Sequence, residues 1–158
     1  MLQNEQFSIR LGALDDSDNI SGVFSDSVRI LCKKDYGQDM LERWISAKSS
    51  ESRKAFIKSN CLWIAEVNGE LAAYLISTSG EIIALFVHSA YSGLGIGLAL
   101  ARLGIKVAQQ EGAKEVKLES TLTAVEFYEK FGFKKVSEGF YTHSPAQLNL
   151  PVVNMILS

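Results

Sequence analysis

The sequence predicts a mixed α+β fold, a mostly antiparallel sheet flanked by helices. Three observations carry this expectation. Two apolar segments, CLWIAEV (61–67) and ELAAYLIS (70–77), are joined by Asn68-Gly69, a pair that supplies the positive φ angles of a two-residue hairpin turn. A strand–helix–strand crossover follows, from EIIALFVH (81–88) through an apolar stretch at 95–110 to VKLES (116–120). Ahead of the hairpin, Ile20, Val23, Phe24, Ser27, Val28 and Leu31 recur at helical spacing, which demands a helix laid on the sheet. Hairpins first and one crossover in the middle give an α+β order.

Each element has its own warrant. FSIRL (7–11) alternates apolar and polar residues and reads as a strand. ALDDSDN is rich in capping residues and opens the first helix, which Gly37 breaks. Leu41, Trp44 and Ile45 suggest a second short helix. The polar, charged segment 49–58, with Phe56 and Ile57 as its apolar contacts, reads as a further helical turn or two on the surface. Ser79-Gly80 turns the chain into 81–88, apolar nearly throughout as a central strand should be. The helix that starts at 95 ends near Gly112, and a short helix from Thr123 to Phe131 is closed by Gly132. FKKVSEGFY and LPVVNMIL supply the last two strands. With no repeat, low-complexity stretch or linker, the expectation is one domain over residues 1–158.

Composition narrows the function. A chain of 158 residues suits one domain with a sizeable core. A net charge of −2 offers no basic field for nucleic acid or an anionic membrane. Cys32 and Cys61 make neither a metal-ligand cluster nor a disulfide framework, and their apolar contexts read as buried structural thiols. The start, MLQNEQ, lacks the regions of a signal peptide, and no apolar run approaches the ~18 residues of a membrane span. A soluble cytoplasmic protein is expected.

The stretch LFVHSAYSGLGIGLAL (85–100) is the most informative. A strand runs into Gly93, Gly95 and Gly97, and a helix follows. Glycine lets backbone approach a ligand, and the first amides of a helix lack internal partners and carry its positive dipole end. Together they suit phosphate or pyrophosphate. A Walker loop is excluded because no Gly-Lys-Ser/Thr occurs. A dinucleotide fingerprint is disfavoured: Glu119 lies about twenty residues on, as that fingerprint asks, but leucine stands at the third glycine position and HSAYS separates strand from loop.

This loop resembles the acetyl-CoA loop of the GNAT N-acetyltransferase superfamily. TLTAVEFYEKFGF (121–133) is similar to the second motif of that family, and the AEVNGELAAYLIS hairpin extends the match over residues 61–141. The resemblance implies a GNAT fold whose fourth and fifth strands splay, with the pantetheine arm of acetyl-CoA lying between them. The residues implied to hold acetyl-CoA are Leu85, Phe86 and Val87 on the strand, Ser92, Gly93, Leu94, Gly95, Ile96, Gly97 and Leu98 in the loop, and Thr121, Ala124 and Tyr128 beyond it. Two positions depart from the family pattern: Ser92 replaces a glutamine or arginine, and Thr121 a frequent asparagine.

Tyr128 matches the general acid of the family. A phenol of pKa about 10 facing a thiol of about 8.5 is mismatched by roughly 2 kcal/mol, so hydrogen bonding to the thiolate is the expected role. Glu81 stands where some members carry a general base. The need is real, since freeing a lysine-like amine at pH 7 costs about 4.6 kcal/mol. His88 and His143 are weaker candidates for the base, since both also read as ordinary polar residues on the surface. The implied reaction is direct acetyl transfer to an amine, with 13–60 and the loop near 139–150 shaping the acceptor pocket. The acceptor class stays open, and a homodimer fits the resemblance. The rival is a non-catalytic acyl-CoA-binding or sensor module, which would share the loop; Tyr128 and Glu81 together favour the enzyme.

Overall fold

The computed structural model describes residues 6–48, 50–143 and 148–158. Chain order is β1 (Ser8–Leu11), α1 (Ser17–Leu31), α2 (Gln38–Ala47), α3 (Ser50–Lys58), β2 (Leu62–Val67), β3 (Glu70–Thr78), β4 (Glu81–Val87), α4 (Ile96–Ala108), β5 (Val116–Thr121), α5 (Val125–Glu129), β6 (Lys134–Phe140) and β7 (Pro151–Leu157). The strands form one sheet in the order β1-β2-β3-β4-β5-β7-β6. Its pairs are antiparallel except β4–β5. This is the expected mixed fold.

The sheet separates two cores, because successive side chains on a strand face opposite sides. On one face α4 and α5 pack Ile96, Leu100 and Tyr128 with Leu75, Ile82, Leu118 and Met155. On the other, α1, α2 and α3 pack Phe24, Val28, Trp44 and Ile57 with Ile64, Tyr74 and Ile76. Helix α4 comes very close to the sheet at Gly104, where an added Cβ would lie 3.0 Å from Leu75 and 3.2 Å from Ile82. The Ser77 hydroxyl donates to the Gly104 carbonyl at 2.7 Å and fixes that contact.

One irregularity positions the site. Strand β4 pairs Ala84 with Ile76 and Ile82 with Ser77, so Ile83 is an extra residue without a partner on β3. Such a bulge bends its strand and shifts the side-chain alternation. Ile82 accordingly belongs to the α4 face and Ala84 to the α1 face. On its other side β4 pairs with β5 only at Glu81–Lys117 and Ile82–Leu118. Beyond the bulge the two strands part.

Two sequence expectations are corrected. Segment 50–58 is a nine-residue helix rather than a turn or two, and it buries Arg53 and Ile57. Arg53 lies 5.0 Å from the Phe24 ring centre and 5.9 Å from that of Tyr74, so its planar cation is accommodated by aromatic faces. Cys32 is buried, but Cys61 is only partly so. It precedes β2, and its thiol donates to the Ser59 carbonyl at 3.4 Å.

Candidate active site

The divergence of β4 and β5 opens a cavity of 260 Å³ that runs through the sheet. Leu85, Val87, Gly97, Phe127 and Tyr128 line it toward α4, and Cys32, Trp44, Phe86 and Tyr141 toward α1 and α2. The backbone of β4 addresses this gap by alternation. His88 N–H donates to Ala72 at 2.8 Å, so the polar groups of His88, and of Phe86 two residues earlier, face β3. Those of Leu85 and Val87 face the gap. Phe86 thus lines the cavity with its ring, which packs edge-on against Phe24 at 5.1 Å and Trp44 at 6.0 Å.

At the α4 end, Gly95 is the N-cap residue with φ +86°, and Gly93 has φ +82°. Both are left-handed conformations that side chains resist. The first intrahelical bond runs from Ala99 N–H to the Gly95 carbonyl, which leaves the amides of Ile96, Gly97 and Leu98 without helical acceptors. No atom lies within 4 Å of a Cβ built on Gly93 or Gly95, so the loop has open space over it. Leu94 turns its side chain into the α4-side core. The Ser92 hydroxyl donates to the Ser89 carbonyl at 2.9 Å and is engaged within the loop. Thr121 Oγ1 accepts from Ala124 N–H at 3.2 Å, forming the turn that starts α5. A splayed sheet edge, an open glycine loop and unpaired amides at a helix N-terminus fit an extended ligand that ends in a pyrophosphate.

Tyr128 is 6% exposed and lines the cavity from α5. Burial pushes its phenol pKa well up, so it stays protonated throughout the neutral range. Among the described residues its hydroxyl has no hydrogen-bond partner, which leaves it available to a ligand. Cys32 Sγ also belongs to a cavity-lining residue, but burial pushes this thiol up as well and keeps it a weak nucleophile.

Glu81 is not a solvated turn residue. It opens β4 on the α1 face and lies 2.8 Å from Nε2 of His143. The sequence treated these two residues separately; the fold joins them across 62 positions. Its hydrogen bond to the Glu81 carboxylate raises the His143 pKa above the ordinary imidazole value. His88 is placed elsewhere: its Nδ1 accepts from Ala90 N–H at 3.1 Å and its Nε2 lies 3.4 Å from Asp26. Four neighbours complete the α1 side. Lys48 Nζ donates to Tyr141 Oη at 2.8 Å and to the His143 carbonyl at 3.1 Å, tying that segment to the end of α2. Burial, then the charge of Arg53, pull Lys48 down to about 8. Glu119 accepts from Thr142 N–H at 3.0 Å and Thr142 Oγ1 at 2.6 Å. Trp44 and Tyr141 meet edge-on with ring centres 5.7 Å apart. The segments 13–60 and 139–150, expected to shape the acceptor pocket, supply Trp44, Lys48, Tyr141 and Thr142 to this wall, whereas the sequence points to Glu119 only through the dinucleotide fingerprint.

A sheet split between two strands, with free amides at a helix start at one end and aromatic rings at the other, is an arrangement suited to a transferase that takes two ligands. A family model described as an acetyltransferase (GNAT) domain matches residues 32–150. The uncharacterized N-acetyltransferase YafP of Escherichia coli is similar at 24% identity over 123 residues, 78% of each chain. In Mus musculus, N-acetyltransferase family 8 member 3 is 26% identical, with the match spanning 49% of that longer protein. Among solved structures, a GCN5-related N-acetyltransferase of Rhodopseudomonas palustris superposes with TM-score 0.85 at 21% identity, over 100% of this chain and 98% of the other. The PaiA N-acetyltransferase of Thermoplasma acidophilum, solved in complex with coenzyme A, gives TM-score 0.74 at 22% identity over 95% and 97%. The chain belongs to the GNAT acetyltransferase family. It is an acetyl-CoA-dependent N-acetyltransferase.

Proposed function

We propose that the reaction is direct acetyl transfer to a small amine in the gap between β4 and β5. The observation that carries this reading is the pairing of β4 with β5 at two positions only, followed by separation beside the N-terminus of α4. Acetyl-CoA supplies the acetyl group as an activated thioester. Leu85 and Val87 hold its pantetheine arm through their backbone groups, and the amides from Gly93 to Leu98 hold its pyrophosphate. The Val87 N–H polarises the thioester carbonyl. Thr121 and Ala124 form the opposite wall.

The amine reaches the gap from the α1 side and loses one proton through a relaying water to the Glu81–His143 pair, which stands outside the residues that line the cavity. His143, 29% exposed, passes that proton to solvent. The neutral nitrogen then bonds to the acetyl carbon as the carbon–sulfur bond breaks, and Tyr128 donates a hydrogen bond to the departing sulfur. The protonated state of Cys32 supports transfer without an acyl-enzyme. Two free thiols fit a reducing, cytoplasmic compartment.

Calorimetry with acetyl-CoA, alongside CoA release across an amine panel, tests the reading. Micromolar binding and amine-dependent release are expected. Binding without release for any amine would favour the non-catalytic sensor, and equal affinity for NADH would sink the assignment of the loop.

A further inference from the structure

Among the described residues, Glu119 is the one charged side chain that lines the cavity. Both of its oxygens are held by Thr142, so the carboxylate has a fixed position. It faces a wall of aromatic rings: Trp44 stands 6.0 Å from Phe86 and 5.7 Å from Tyr141, and Tyr141 and Phe86 both line the same space. The remaining α1-side lining includes Ser27, Leu31, Cys32, Ile83 and Ala84, none of them charged. Neither nearby cation belongs to the lining. Arg53 is 2% exposed under the Phe24 and Tyr74 rings, with Nη1 on Ser21, and Lys48 is bound to Tyr141 and the His143 carbonyl.

From this arrangement we infer that the acceptor is a compact monoamine with a single apolar or aromatic body, and that Glu119 is the residue that selects it by receiving its ammonium group. This deepens the acetyl-transfer reading and rests on it. One carboxylate in an apolar pocket balances one positive charge. A polyamine or aminoglycoside would bring further cations with no carboxylate to meet them in the cavity. An amino acid would bring a carboxylate that finds no cation there and stands near Glu119 itself. Either mismatch leaves a charge against aromatic rings with no partner among the described lining residues, which is unfavourable even at a half-exposed carboxylate. The cavity of 260 Å³ also falls below the roughly 300–1,000 Å³ of usual ligand pockets, and the acetyl-bearing arm shares it.

The test is CoA release at saturating acetyl-CoA with phenethylamine, hexylamine, spermidine, leucine and an alanyl dipeptide. Phenethylamine or hexylamine should exceed the other three by tenfold or more in kcat/KM. Glu119→Gln should lower kcat/KM for phenethylamine by roughly 10–100-fold, mainly through KM, with acetyl-CoA affinity by calorimetry within a few-fold of the parent. Glu119→Asp should restore part of the loss. Spermidine, leucine or the dipeptide as best acceptor would overturn this inference alone, as would an unchanged KM in Glu119→Gln. No release with any amine, in protein that binds acetyl-CoA, would overturn the acetyl-transfer reading and this one with it.

Discussion

Tyr128 and the Glu81–His143 pair make opposite demands on their protons. Burial raises the Tyr128 pKa, so the phenol is a hydrogen-bond donor at any working pH and adds no alkaline limb of its own. Tyr128→Phe keeps the ring and its packing. Steady-state kinetics should show kcat lower by roughly 10²–10⁴-fold, with acetyl-CoA affinity by calorimetry within a few-fold, because the hydroxyl matters once charge develops on sulfur. Joint loss of binding and turnover would make Tyr128 a holder of the arm instead. For His143 the Glu81 bond favours the protonated form, so the folded pKa lies above the ordinary value of about 6.5. The stability from that bond is complete below about pH 6.5 and fades as pH rises through the raised folded value. Activity runs the other way, since the pair accepts a proton only when His143 is neutral. The acid limb of kcat/KM should therefore lie above pH ~6.5 and move down toward it in Glu81→Gln. The rate loss in that variant should be largest near neutrality and shrink at high pH, where the amine is already free. An equal loss at every pH would mark Glu81 as structural. Neither partner announces the other in the sequence, because their contact arises only where the chain after β6 brings His143 to the start of β4.

At the scale of the element, the glycine loop separates two effects that the sequence presented together. Gly95 caps α4 in a left-handed conformation, with open space around it. A valine there strains the backbone by about 1–2 kcal/mol and covers the ground over the free amides. Gly95→Val should stay folded, melt slightly lower, and lose acetyl-CoA affinity at least tenfold. Gly97 differs: an added Cβ would meet Phe127 at 3.7 Å and Val87 at 3.8 Å, which is ordinary contact. Gly97→Ala should melt at or above the parent temperature, gaining up to about 1 kcal/mol of helix propensity, while its methyl narrows the cavity and weakens binding. Circular dichroism and calorimetry on both variants separate fold from ligand. The Asn68-Gly69 hairpin, the apolar β4 and the glycine-capped helices were legible because local chemistry fixes them. Helix α3 was underestimated, because its burial of Arg53 against Phe24 and Tyr74 depends on rings from α1 and β3. The Ile83 bulge was invisible for a similar reason: it exists only as a mismatch of register between β3 and β4.

Across the whole molecule, ligand binding and stability are linked. Acetyl-CoA at about one hundred times its dissociation constant adds about 2.7 kcal/mol to the folded state. For a domain of this size that raises the melting temperature by roughly 5–10 °C. A scan without any shift at that saturation would contradict binding to the folded chain. The fold-scale reading from sequence succeeded because the order of elements along the chain and the hairpin follow from turns and periodicity, whereas the proposed acceptor wall joins Trp44, Phe86, Glu119 and Tyr141, four residues far apart along the chain.

Bare strand edges are usually found at the rim of a sheet, where they invite another chain. Here the rim is blunted: β6 carries Lys134, Lys135 and a bulge at Val136. The vulnerable edges lie inside, where β4 and β5 face each other across the gap with α4 and α1 packed over β4. Among the described residues no strand pairs with the outward backbone groups of Leu85 and Val87, so their amide hydrogens should trade with deuterated solvent far faster than those of Phe86 and His88, which are locked to β3. Adding acetyl-CoA should slow Leu85 and Val87 to the pace of their neighbours, as though an eighth strand had been slid into the middle of the sheet.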